Sequence, residues 1–290
     1  MAEGPRRDLD QLKAWIGKSE VRTDVATAAP MRALAALLDR EAASPDAGDV
    51  IPPCGHWLYF LPTHRQSELG PDGHPHKGGF LPPVPLPRRM WAGSTIEFRR
   101  PLRVGESLTR SSTIVDVSGK EGRSGRLVFV KVRHEIASPA GTALVEEQDI
   151  VYREPASVTT TNAAATPSSR AQQWRRQMSA DEVLLFRYSA VTFNGHRIHY
   201  DRPYATDVEG YADLVVHGPL CATLLLDLLH RQAPAARVSR FMFRGVAPLF
   251  AHASFELCGR LAEDRPEVAL WIQRADGAVT MEATATLEDN

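Results

Sequence analysis

One stretch of the chain, 188–220, gathers side chains able to move protons into a short polar segment: Asn194, His196, Arg197, His199, Asp201, Tyr204, Tyr211 and His217. It runs directly into GPLCATLLLDLLHRQ (218–232), which opens with Gly218 and Pro219 and is apolar around most of a helical circumference. A helix of that kind is buried on several sides. Polar loops at the mouth of an apolar element are where small-molecule sites form. Imidazole titrates near neutral pH, so a histidine held there can accept a proton and return it.

The composition narrows the chemistry that such a site can serve. The 290 residues carry 34 Lys and Arg against 35 Asp and Glu, a net charge of −1. A nucleic-acid binder shows a basic face or stripe, and RRPLR (99–103) is isolated. Cys54, Cys221 and Cys258 are far apart, in no CxxC spacing. This excludes a disulfide framework or a structural zinc site and fits a reducing compartment. No apolar signal-peptide core follows the N-terminus, and the run LLLDLL (224–229) is far short of the roughly 20 residues a membrane helix needs. A soluble, cytoplasmic protein with neither nucleic-acid nor membrane partner is expected.

The elements that must hold the polar segment fall into two similar halves. The boundary is PASVTTTNAAATPSSR (155–170), which has no large apolar residue after Val158 and reads as a linker between 1–154 and 171–290. In the first half, a helix over 30–42 with Pro30 in its first turn precedes four alternating segments at 94–100, 107–117, 126–136 and 142–153. In the second, Ser179 and Glu182 have capping-box spacing ahead of a helix over 183–191. The helix over 218–232 and four more alternating segments at 237–245, 254–262, 268–275 and 279–288 follow. One apolar helix per curved antiparallel sheet is the hot-dog arrangement. The fold class is therefore α+β, a double hot-dog with two antiparallel sheets each wrapped around a long apolar helix.

The segment FRYSAVTFNGHRIHYD (186–201), with EGY (209–211) and LVVHGPL (214–220), resembles the MaoC-like enoyl-thioester hydratases and dehydratases. In their motif, S-G-D-x-N-P-L-H-x-D, the His falls on His199, the following Asp on Asp201, and the H-G that opens the hot-dog helix on His217–Gly218. Within that superfamily the chain is most similar to the double-hot-dog subgroup of mesaconyl-CoA/itaconyl-CoA hydratases and mitochondrial hydroxyacyl-thioester dehydratases. GHWLYFLP (55–62) and LGPDGHPHKGGFLPPVPLPRRMWAG (69–93) look like that subgroup's N-terminal domain. The chain departs from the general motif where Asn194 occupies the position of the catalytic Asp, and where His196–Arg197 replaces Asn-Pro. An amide cannot act as a base, so the usual Asp/His dyad cannot operate unchanged.

The resemblance implies reversible addition of water to an α,β-unsaturated acyl thioester, with mesaconyl-CoA or itaconyl-CoA giving citramalyl-CoA. His199 is then the acid/base group, Asn194 a hydrogen-bonding partner for water or imidazole, and the Gly218 N–H a donor to the enolate oxygen, since Pro219 has none. Arg197, His196, Asp201, His217, Tyr204, Arg88 and Arg89 are candidate substrate-binding or positioning residues, the last two for phosphate or carboxylate groups. No cofactor and no metal is expected: His56, His64, His74 and His76 match no zinc spacing. FLPPVPLP (80–87) is expected to line the pocket. Acyl-CoA is the expected partner, and a homodimer the assembly allowed for. Three alternatives stay open: a hydroxyacyl-carrier-protein dehydratase, a thioesterase, and a non-catalytic acyl-thioester binding protein.

Overall fold

A computed structural model describes residues 4–41, 45–122, 125–154 and 170–288. The first half runs α1 (Gly4–Lys13), β1 (Ser19–Val25), α2 (Ala28–Leu37), β2 (Arg88–Phe98), β3 (Ser107–Gly122), β4 (Gly125–Ser138) and β5 (Gly141–Arg153). The second runs β6 (Trp174–Ser179), α3 (Glu182–Thr192), α4 (Gly218–Gln232), β7 (Val238–Gly245), β8 (Ser254–Leu261), β9 (Glu267–Arg274) and β10 (Val279–Leu287). All eight anticipated strands are present; β1 and β6, short and half-exposed, were not anticipated. Both pair antiparallel at a sheet edge, where one neighbour is enough to form a strand. The segment at 155–170 that reads as a linker lies, up to residue 169, outside the described residues.

The two sheets join into one of ten strands, ordered β1-β3-β4-β5-β2-β7-β10-β9-β8-β6. The seam is the antiparallel pair β2–β7, from Gly93 opposite Arg244 to Glu97 opposite Arg240. α4 lies against β8, β9, β10, β6 and β2, so the C-terminal sheet wraps it as the hot-dog arrangement requires. Leu220–Leu229 are buried without interruption. α2 is shorter than expected, ending at Leu37, and packs on α3 and the 55–58 turn. The helix before the catalytic segment is capped by Asp181, whose Oδ1 accepts the Leu184 N–H at 2.8 Å. Ser179 instead ends β6, because pairing with Ser254 holds it extended.

Two buried polar arrangements accompany this packing. Asp227, the one acid in the buried run of α4, is met by Arg40 (2.6 Å), Arg176 (2.8 Å) and Arg231 (2.7 Å). In the first half, Ser112, His134, Glu146 and Ile96 stand opposite one another across β3, β4, β5 and β2. Glu146 accepts bonds from Ser94 Oγ (2.8 Å) and Trp57 Nε1 (3.1 Å) and pairs with His56 Nε2 (3.0 Å). Burial pushes this carboxyl up, but His56 by bond and charge prevails and holds it at about 2. The row separates the core around α2 and α4 from a second cluster of Leu12, Val84, Leu86, Ile114, Val130 and Tyr152. The 80–87 segment covers the N-terminal sheet, with Val84 and Leu86 in this cluster and Phe80 and Leu81 packed against it.

No helix among the described residues is long and apolar enough to cross a membrane. Asp227→Ala removes the shared partner of three arginines and leaves their charge uncompensated. The three arginines are partly exposed and water meets some of their charge, so the cost is that of lost charge-assisted hydrogen bonds, about 1–3 kcal/mol, and urea denaturation should show a destabilisation of that order with the far-UV spectrum of the remaining native state unchanged.

Candidate active site

The motif is positioned by the join between α3 and α4. Phe193 ends α3 in a left-handed conformation (φ 49°), which turns the chain out of the helix. Asn194 Oδ1 then accepts the His196 N–H at 3.1 Å, a side-chain turn of the kind asparagine favours. A single 3-10 turn, Arg197–His199, brings the imidazole of His199 inward, where it is 7 % exposed. Its Nδ1 donates to the Val215 carbonyl at 2.7 Å. That bond assigns the tautomer and leaves Nε2 with its lone pair. Burial lowers the His199 pKa to about 4, so the neutral base form persists across the neutral range.

His217 stacks on His199 with ring centroids 3.6 Å apart and 19° between planes. It sits at the N-cap of α4, its Nε2 2.9 Å from Ser189 Oγ and its buried Nδ1 without a hydrogen-bond partner. Burial and the neighbouring histidines keep it neutral. Gly218 begins α4 with Pro219 next, so the open first-turn donors of this helix end stand beside the histidine stack. Arg197 is held by Asp201 through Nε (2.9 Å) and Nη2 (2.7 Å), and its guanidinium lies 4.2 Å from the centre of the Tyr204 ring. Tyr204 is buried and donates to Glu209 at 3.3 Å.

The N-terminal half completes this arrangement through the 71–74 loop, of which the sequence singles out only His74, as one of four histidines. Arg197 N–H donates to the Asp72 carbonyl at 2.9 Å, and Arg197 Nη1 to the Pro71 carbonyl at 2.9 Å. Gly73, at φ 86°, packs so closely that a Cβ there would overlap the Gly195 carbonyl oxygen. His74 thereby reaches His196, ring centroids 4.1 Å apart, and His196 stands edge-on to His199 at 5.4 Å. His74 Nδ1 is 3.0 Å from Asp72 Oδ2, and the His74 N–H donates to Asp72 Oδ1 at 3.0 Å. The Asp-Gly-His spacing was the available signal: a carboxylate two residues before a histidine can close this turn.

Of the N-terminal histidines, His56 faces Glu146 and His74 faces the site, so tertiary structure separates them. Asp72, His74 and His196 are the one group among the described residues whose potential metal-ligating atoms gather within 4.8 Å. The charges of Arg89 and Lys77 bear on His74 and disfavour a proton there, and they would oppose a cation equally. Arg89 is half-buried with no carboxylate partner among the described residues. Arg88, by contrast, pairs through Nε with Glu209 at 2.8 Å and lies 5.7 Å from the Tyr211 ring centre, so its charge is compensated. The two arginines part because neighbouring strand residues point to opposite faces.

Gly73→Ala puts a methyl group into the Gly195 carbonyl and demands a left-handed alanine. The 71–74 loop should lift from 195–197 and turnover should fall at least tenfold, whereas a structural effect on stability alone would leave kcat intact; steady-state kinetics with a thermal melt separates the two.

Comparisons with known proteins identify the family. The family model described as hydroxyacyl-thioester dehydratase type 2 matches residues 54–251. The mesaconyl-C(4)-CoA hydratase of Chloroflexus aurantiacus is 46 % identical over 94 % of this chain and 97 % of that protein. A solved MaoC-like dehydratase superposes with TM-score 0.71 at 15 % identity, covering 96 % of this chain and 100 % of that one. A Mycobacterium tuberculosis protein described as having a double hotdog fold superposes with TM-score 0.59 at 12 % identity, over 97 % of this chain and 98 % of that one. The matched span takes in both the Asp72–His74 loop and the His199 segment, and on that ground the chain belongs to the hydroxyacyl-thioester dehydratase type 2 family.

Proposed function

We propose that the protein adds water reversibly to a short, branched, dicarboxylic enoyl-CoA, mesaconyl-C4-CoA, to give citramalyl-CoA. The observation that carries this reading is His199: its Nδ1 is committed to Val215, its Nε2 is free, and the open N-terminus of α4 stands beside it. The 46 % identity to a hydratase named for that substrate supports the choice of acyl group.

In the forward direction Nε2 of His199 takes a proton from water as the hydroxyl oxygen bonds to Cβ. The π electrons move into the thioester, forming an enolate whose oxygen meets the Gly218 N–H. A donor of this kind contributes about 3 kcal/mol in the transition state. The enolate collapses when Cα receives the proton. Asn194 shapes the turn through Oδ1, which leaves its amide N–H groups to hold the water. Arg89, whose charge acts on His74 and His196 and which has no carboxylate partner among the described residues, is the candidate to meet the substrate carboxylate, while Arg88, Asp201 and Tyr204 hold the loop. The C-terminal half, 171–290, carries the catalytic segment; the N-terminal half, 1–154, closes the site, with 155–170 as the tether between them.

The test is loss of enoyl-thioester absorbance with a panel of enoyl-CoA substrates, alongside a free-thiol assay. Mesaconyl-C4-CoA should be hydrated without thiol release, and His199→Ala should cut turnover at least about 100-fold, the range of a general acid/base group. Thiol release would make the protein a thioesterase. Near-normal turnover in His199→Ala would remove that residue from the mechanism.

A further inference from the structure

The proton that leaves water must be held until Cα receives it, and His199 alone holds it poorly. Burial puts its imidazole at about 4, with no carboxylate in hydrogen-bond contact. His217 bonds to a neutral hydroxyl, and His196, lowered by burial to about 2, forms no ring hydrogen bond among the described residues. Of these four rings His74 alone is bonded to a carboxylate among the described residues, with Nδ1 3.0 Å from Asp72 Oδ2.

Building on the hydratase reading above, we propose that Asp72 and His74 form the carboxylate–imidazole pair that position 194 cannot, so that the N-terminal half supplies the base on which the transferred proton rests. His74 Nδ1 donates to Asp72, which leaves Nε2 as the acceptor. The His196 ring lies between His74 and His199, at 4.1 Å from one and 5.4 Å from the other, and spans the path. The water O–H bond breaks as the C–O bond forms at Cβ. Since no ring nitrogen of His196 bonds to either neighbour, the proton crosses from His199 to His74 over water bridging the rings, and returns by the same bridge to make the C–H bond at Cα. No other reactant is consumed.

The surrounding charges make Asp72 decisive. Burial, Arg89 on β2 and Lys77 on the same loop all disfavour a proton on His74, and Asp72 is the anion that favours one. Asp72 itself stays ionised: burial raises it, but the bond and charge of His74 prevail and carry its pKa well below the usual carboxylate range. Asp72 is thus the positioning residue and His74 the acid/base group. The pair reaches the site only through the loop contacts of Pro71 and Asp72 with Arg197 and of Gly73 with Gly195.

Asp72→Asn keeps the side-chain shape and an oxygen for the His74 N–H, but removes the charge. Turnover should fall at least about 100-fold, and the acid limb of the kcat–pH profile should move to lower pH, because His74 loses the group that raises its proton affinity. Titration of the His74 ring followed by NMR should move the same way. His74→Gln should lose turnover to a similar extent, and it decides the question if thermal melting shows Asp72→Asn to be unfolded. Wild-type-like turnover and an unmoved acid limb in both folded variants overturn the inference. If His199→Ala is inactive while both variants work, only this inference falls; if the wild type hydrates no enoyl-CoA, the hydratase reading itself fails.

Discussion

The site depends on one loop-on-loop contact. The 71–74 segment of the first half lies against 195–197 of the second, with two backbone carbonyls accepting from Arg197 and two glycines meeting face to face. The approach leaves no room for a Cβ at residue 73, so backbone touches backbone there. Arg197 is in turn held by Asp201, and Asp201 also accepts the Tyr204 N–H at 3.1 Å. Every histidine of the cluster is oriented from this frame: His196 and His199 on one side of the contact, His74 on the other. The tautomers of His199 and His74 follow from the bonds their Nδ1 atoms make to the Val215 carbonyl and to Asp72.

Joining two hot-dog units through β2–β7 has a consequence for chemistry as well as packing. The seam makes one continuous sheet, so the two halves cannot separate without losing a ladder of main-chain bonds. Each half can then surrender part of a function to the other. The second carries the His199–His217 stack and the start of α4; the first brings Asp72 and His74 to it. The same economy governs the rest of the interior, where Asp227 and Glu146 are buried only because arginines in one case, and His56, Ser94 and Trp57 in the other, meet every oxygen.

Much of this was legible along the chain. The period-two alternation of LVFVKVRHEI and its neighbours marked the long strands, and the apolar circumference of 218–232 marked the buried helix, because both follow from local geometry and burial. β1 and β6 were not, since an edge strand with half-exposed side chains has little pattern to show. The cap of α3 moved from Ser179 to Asp181 for a tertiary reason: pairing with Ser254 claimed the serine for a strand.

The sequence by itself determined that His199 lies in a polar turn ahead of a buried helix with Gly218 and Pro219 at its start, since residues 194–219 are close in the chain and their turns are local. It also determined that position 194 carries no base. That Asp72 and His74 come to stand beside His196 was decided by tertiary structure alone. Asp72 and Arg197 are far apart in sequence, and the Asp-Gly-His spacing that closes the 72–74 turn does not say which loop that turn will meet. Their meeting depends on β2–β7 register and on two glycines small enough to let the loops touch. That information exists only once the sheet has closed.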